Sequence, residues 1–209
     1  MSHHSTGLHA ILDRPGIYER VQQLLGARAS RRRIVHEFLR PVAGSRILDV
    51  GCGTGSLLDD LPPDVDYVGF DLNPRYIEAA KKKYGNRVRF YCARAGVGAE
   101  GLEERSFDFV VAKSLLHHLS DAEAHQLLET GVRLLRTGGV FFSSDAVRHE
   151  GQSAVARFFL ALDRGRSIRS PQAYTALAES HFSAVETTLL TDLLAIPYSH
   201  FLMRATATS

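Results

Sequence analysis

Cysteine is scarce in this chain, and what little there is stands apart: only two occur in 209 residues, Cys52 and Cys92, with no C-x-x-C spacing. That argues against a structural zinc site or a disulfide framework and suits a reducing cytoplasm. Long apolar runs are missing too. None approaches the roughly eighteen residues that a membrane span needs, and the opening residues lack the charged and apolar regions of a secretory signal. No membrane partner is therefore expected. Net charge is only +2, a mildly basic balance that argues against a polyanion-binding surface and so against a nucleic-acid partner. No internal repeat, low-complexity stretch or linker is visible. The length fits one ordinary domain, 1–209, with apolar content for a full core; only 1–12 reads as disordered.

Glycine, by contrast, is concentrated where it carries meaning. Arg46-Ile47-Leu48-Asp49-Val50-Gly51-Cys52-Gly53-Thr54-Gly55 is a short apolar strand running into three alternate glycines. Side chains would obstruct such a turn, so Gly51, Gly53 and Gly55, with Cys52 between them, open the backbone to a nucleotide-like ligand. A dinucleotide fingerprint would require a further glycine where this chain has Ser56. A second strand, Tyr67 to Phe70, ends in Asp71-Leu72-Asn73-Pro74, about twenty residues beyond the glycines, where an acid can accept both hydroxyls of a ribose. Asn73 is placed to cap the next helix and Pro74 to occupy its first turn. Ser106 to Ala112 reads as a fourth buried strand, and Leu134 to Phe142 as a helix end, tight turn and fifth strand. Between them Ser120-Asp121-Ala122-Glu123 is a capping box, followed by the helical period Ala124, Leu127, Leu128, Gly131, Leu134 and Leu135.

These four motifs, in this order over residues 46–145, resemble the cofactor-binding core of class I S-adenosylmethionine-dependent methyltransferases. The resemblance implies a Rossmann-like, doubly wound α/β fold: seven strands, mostly parallel with an antiparallel final strand, and helices on both faces. It implies S-adenosylmethionine as cofactor, S-adenosylhomocysteine as product and no metal. Asp49 then complements the methionyl ammonium, Asp71 holds the ribose, and Leu72 lies against the adenine, while Lys113, just after the fourth strand, is a further cofactor-side residue. One departure stands out. Where relatives often place an acid for the adenine amino group, Phe90-Tyr91-Cys92-Ala93-Arg94 offers Arg94, which has no acceptor. Backbone groups around Ala93 and Arg94, or Glu100, would have to substitute.

Outside that core, Ile17 to Leu25 and Arg31 to Arg40 read as two helices, the second capped by Ser30 and stopped by Pro41. The segment 16–41 is expected to cover the cofactor, with Tyr18 in reach of ligand and Arg31-Arg32-Arg33 on a solvated face. Residues 150–180 form a helical segment on the substrate side: Gln152 to Leu162, then a basic turn, then a helix capped by Ser170 with Pro171 at its first position. Ala184 to Leu190 and Tyr198 to Ala205 read as the last two strands.

Methyl transfer from a sulfonium needs mainly alignment and exclusion of water, and a base helps where the acceptor is a hydroxyl. His117, His118 and Asp145, near the carboxyl ends of strands four and five, are the candidates for that base. Tyr198 could line the same mouth. Arg164, Arg166 and Arg169 immediately precede a helix and could converge on an anionic acceptor. The expected function is methyl transfer to a small molecule, with a cofactor-binding module lacking transfer, or a protein- or RNA-directed enzyme, as alternatives. The acceptor and the oligomeric state are not written in the sequence.

Overall fold

A computed structural model of the chain describes residues 26–94, 101–163 and 165–208. Seven strands form one sheet in the order β3-β2-β1-β4-β5-β7-β6. They are β1 Arg46–Val50, β2 Asp66–Asp71, β3 Arg89–Cys92, β4 Phe107–Lys113, β5 Leu135–Ala146, β6 Ala184–Leu190 and β7 His200–Thr206. The first five pair in parallel, and β7 runs antiparallel to both β5 and β6. The expected architecture is observed.

Successive side chains of a strand point to opposite faces, and in β1 both faces are apolar. Leu48 and Val50 enter a core with Phe107, Val110, Leu127, Leu128 and Tyr174, whereas Ile47 enters a second core with Leu39, Leu57, Tyr67 and Ile77. Helices therefore have to cover both faces. α1 (Ala27–Arg33) continues as a π-helical turn, Ile34–Leu39, and α2 is Pro74–Tyr84. α3 is Asp121–Leu134, α4 Ala154–Leu162 and α5 Pro171–Glu179. Local chemistry starts them as the sequence indicates: the Asn73 side chain accepts from the Arg75 N–H, Ser120 and Glu123 form the reciprocal capping box, and Ser170 accepts from the Ala173 N–H.

Three expectations are corrected. Ser30 is not a cap, because α1 begins at Ala27 and the Ser30 N–H already donates to the Gly26 carbonyl at 3.0 Å inside the helix. Arg31 is not solvated: its guanidinium pairs with Asp60 at 2.6 Å and Asp59 at 3.5 Å, tying α1 to the turn after the glycines. β7 begins at His200, where its pairing with both β5 and β6 starts, and Tyr198 lies before it with its hydroxyl donating to Asp163. The helix read at Ile17 to Leu25 lies outside the described residues. Among the described residues no helix is long and apolar enough to cross a membrane.

The strand order reverses between β1 and β4. Loops leaving the carboxyl ends of these neighbours diverge to opposite faces, which opens a crevice there, and ligands of open α/β sheets bind in that crevice.

Candidate active site

The crevice is a cavity of about 660 Å³ walled by the glycine loop, Asp49, Asp71, Lys113, Ser114, Leu115 and His118, with Ala27, Arg28 and Arg31 of α1 closing one side. A volume in this range suits a nucleoside-sized ligand with a small companion. The loop is anchored by the Phe70 carbonyl, which accepts the Gly51 and Cys52 N–H groups at 2.7 and 2.9 Å. All three glycines hold left-handed dihedrals, φ 74° at Gly51, 57° at Gly53 and 74° at Gly55, which side chains rarely adopt. Gly55 is confined further, since a Cβ there would lie 2.8 Å from the Phe90 ring.

Asp71 joins two strand ends: Oδ2 accepts the Gly53 N–H at 2.9 Å and Oδ1 the Asn73 N–H at 2.8 Å. A carboxylate has about four lone-pair positions, so a vicinal diol can still be accepted beside those two bonds. Asp49 is 3% exposed and accepts the Tyr67 hydroxyl at 2.6 Å. Burial pushes its carboxyl up to about 6, against the lowering effects of the Tyr67 bond and the Lys113 ammonium. A buried, incompletely compensated carboxylate on a cavity wall is the partner a cationic ligand requires. Burial in turn pushes the Lys113 ammonium below its ordinary range, opposed by Asp49 and Asp145. The Cys52 thiol on the same wall is raised by burial and by both aspartates, which keeps it protonated and inert.

The adenine-side expectations separate. Leu72 is 63% exposed beside Asp71 but is not among the residues that line the cavity. Arg94 pairs with Glu123 at 3.1 Å, and neither it nor Ala93 lines the cavity. Glu100 lies outside the described residues.

Deeper along the β4 end, His118 lines the cavity and His117 stands behind it, with ring centroids 4.2 Å apart. His117 is 4% exposed. Its Nδ1 lies 2.9 Å from Asp145 Oδ1, which also accepts the His117 N–H, and its Nε2 lies 3.6 Å from Asp163 Oδ1. Asp163 accepts from the Tyr198 hydroxyl and from the Gly165 N–H at 2.7 Å. The structure thus brings together His117, His118, Asp145 and Tyr198 and adds two groups that sequence reasoning missed, Tyr67 and Asp163. Neither carries a local signal, because each acts through a partner many residues away.

The anion clamp is corrected. Every guanidinium nitrogen of Arg169 is engaged, with Asp121, with the Leu116 and Leu119 carbonyls of the turn after β4, and with Ser167. Arg169 is a staple between α3, that turn and α5. Arg166 is exposed, and Arg164, like Tyr18, lies outside the described residues.

The profile of the family described as "Methyltransferase domain" matches residues 47–139, the span from β1 into the first residues of β5. The sheet order and the loop geometry agree with the class I S-adenosylmethionine-dependent methyltransferase fold that this match over residues 47–139 points to. The chain is 32% identical over 125 residues to a ubiquinone biosynthesis O-methyltransferase of Rhizobium johnstonii, covering 57% of this chain and 48% of that one. It is 30% identical over 117 residues to a phosphoethanolamine N-methyltransferase of Triticum aestivum, covering 53% of this chain and 23% of that one. The chain thus spans about half or less of the length of these relatives. Its fold matches phosphoethanolamine N-methyltransferase 2 of Haemonchus contortus, solved with S-adenosyl-L-methionine, with a TM-score of 0.73 at 16% identity, covering 99% of this chain and 61% of that one.

Proposed function

We propose that this chain binds S-adenosylmethionine in the crevice between β1 and β4 and transfers its methyl group to a hydroxyl of a small molecule. One observation carries the reading: a single cavity is lined on one side by the glycine loop, Asp49 and Asp71 and on the other by His118. Asp49 would take the methionyl ammonium, Asp71 the ribose diol, and Leu72 one face of the adenine. When bound, the cofactor supplies an electrophilic methyl group on a positively charged sulfur, so the protein's task is alignment, exclusion of water and removal of the acceptor proton. The cluster of His117, His118, Asp145 and Asp163 is the group of side chains for that last task, since His118 reaches the cavity and the others hold its neighbour.

An anionic acceptor would find the exposed Arg166 rather than Arg169. Calorimetry with S-adenosylmethionine and S-adenosylhomocysteine, followed by transfer of a labelled methyl group to a metabolite pool, tests the reading. Micromolar binding of both with labelled small-molecule product is expected. Binding without product would make the chain a cofactor-binding module, and no binding would overturn the reading altogether.

A further inference from the structure

We infer that His117, His118 and Asp163 form a site for one divalent transition-metal ion of the zinc type, open toward the acceptor end of the cavity. One ligand atom from each residue lies within 4.8 Å of the other two. The 3.6 Å between His117 Nε2 and Asp163 Oδ1 is close to the separation of about 3.3 Å that two ligands take on a tetrahedral ion with bonds of about 2.0–2.1 Å.

The surroundings are those of a held ligand set. Asp145 sits 2.9 Å from His117 Nδ1, and a carboxylate there fixes the proton on that nitrogen and turns the Nε2 lone pair outward. That lone pair faces a carboxylate oxygen of Asp163, an arrangement of two acceptors that calls for a cation between them. Asp163 is itself oriented by the Tyr198 hydroxyl and the Gly165 N–H. The backbone is drawn against the ring as well, since the Ser167 N–H donates to the His117 carbonyl at 2.9 Å and a Cβ on Gly165 would lie 2.7 Å from His117 Cδ2. Two imidazoles and a carboxylate, with a further carboxylate behind, suit a borderline divalent ion. Three protein ligands leave a fourth position, and because His118 lines the cavity that position opens on the acceptor space.

The part this ion plays rests on the methyl-transfer reading: a hydroxyl bound at the fourth position loses its proton to solvent more readily, leaving an oxygen nucleophile. A proton on His117 Nε2, shared with Asp163, is the competing occupant. The two occupants predict different spectra.

The test is titration of Co²⁺ into metal-stripped full-length protein, followed by visible absorption. One equivalent giving the intense bands of a four- or five-coordinate ion, displaced by Zn²⁺, is expected. At least a tenfold weaker affinity is expected for His118→Ala and Asp163→Asn, both at partly exposed positions, with folding checked by circular dichroism. Absence of stoichiometric binding, unchanged binding in both folded variants, or nitrogen NMR showing both His117 ring nitrogens protonated in the presence of cobalt would overturn the site. Cobalt bands in a protein that transfers no methyl group would keep the site and remove the methyl-transfer reading. Transfer by stripped protein that also lacks the bands would do the reverse.

Discussion

Asp71, the last residue of β2, accepts the backbone N–H of Gly53 in the loop that follows β1, at 2.9 Å. The acid proposed for the ribose is therefore also the tie that holds the glycine loop to the neighbouring strand end. Asp71→Ala should weaken S-adenosylmethionine by at least about tenfold, from lost charge-assisted bonds at about 1.5–3 kcal/mol each. It should also lower the melting temperature of the ligand-free protein, because two backbone N–H groups lose their acceptor. Calorimetry and a thermal melt on the same preparation read both effects. Normal affinity in a folded variant would remove Asp71 from the site.

Asp49 and His200 set opposing pH dependences. The carboxyl of Asp49 is raised to about 6 by burial, from an ordinary value of 3.8. Its contribution to stability is full below 3.8 and is lost as pH rises through about 6, a cost on the order of 2–3 kcal/mol at neutral pH. The imidazole of His200 is lowered to about 4, mainly by burial and next by the Lys113 ammonium, and its Nδ1 is buried without a hydrogen-bond partner among the described residues. Its contribution is full above its ordinary 6.5 and is lost as pH falls through about 4. Between these limits the two slopes oppose each other, so urea unfolding of the ligand-free protein should vary little from pH 4 to 6. Asp49→Asn should raise stability at pH 7, abolish tight cofactor binding and expose the His200 slope, with stability falling as pH drops below 6.5. An Asp49→Asn protein no more stable than wild type at pH 7 would show that the buried carboxylate carries no penalty.

The fold was legible because its determinants are local. The short apolar run of β1, the caps at Asn73, Ser120 and Ser170, and the spacing from Gly51 to Asp71 each act within a few residues or along one strand pair, and together they place the cofactor crevice. The acceptor side was legible only in part. His117 and Asp145 could be named from their positions after β4 and on β5, but the turn that brings Asp163 onto His117 has no periodicity to read. Arg169 shows the same limit from the other direction. An arginine before a helix N-terminus reads as an anion site, yet four carbonyl and carboxylate partners 2 to 53 residues away consume its donors. Ser30 misled for a different reason: a serine before a basic run looks like a cap until the helix is seen to start at Ala27.

Arg169 should accordingly behave as a structural residue. Its side chain is 8% exposed, donates to the Leu116 and Leu119 carbonyls and lies over the Tyr174 ring at 5.7 Å. Arg169→Gln leaves buried carbonyls without donors, and a loss of about 2–4 kcal/mol in urea unfolding is expected. Cofactor affinity and the acceptor's KM, measured on the folded fraction, should stay within about twofold of wild type, since no donor of Arg169 faces the cavity. A selective rise in KM at wild-type stability would restore the anion clamp.

Gly165 offers the most selective probe of the histidine cluster. Alanine there directs a methyl group at His117 Cδ2 from 2.7 Å, and at Ile168 Cγ1 and Asp163 Oδ1 from 2.9 and 3.0 Å. The ring cannot retreat freely, because Asp145 holds Nδ1 and the imidazole is 4% exposed among packed neighbours. Gly165→Ala should therefore move the turn rather than the ring and carry the Asp163 carboxylate away from Nε2. Overpacking of this kind costs about 1–3 kcal/mol of stability. The glycine loop lies across the cavity and should be untouched, so S-adenosylmethionine affinity is expected to be unchanged while turnover falls at least about tenfold. Gly165→Ser, with a similar Cβ, should reproduce the loss. If both variants turn over at the wild-type rate, the approach of Asp163 to His117 has no part in the reaction and deprotonation must be assigned to His118 alone.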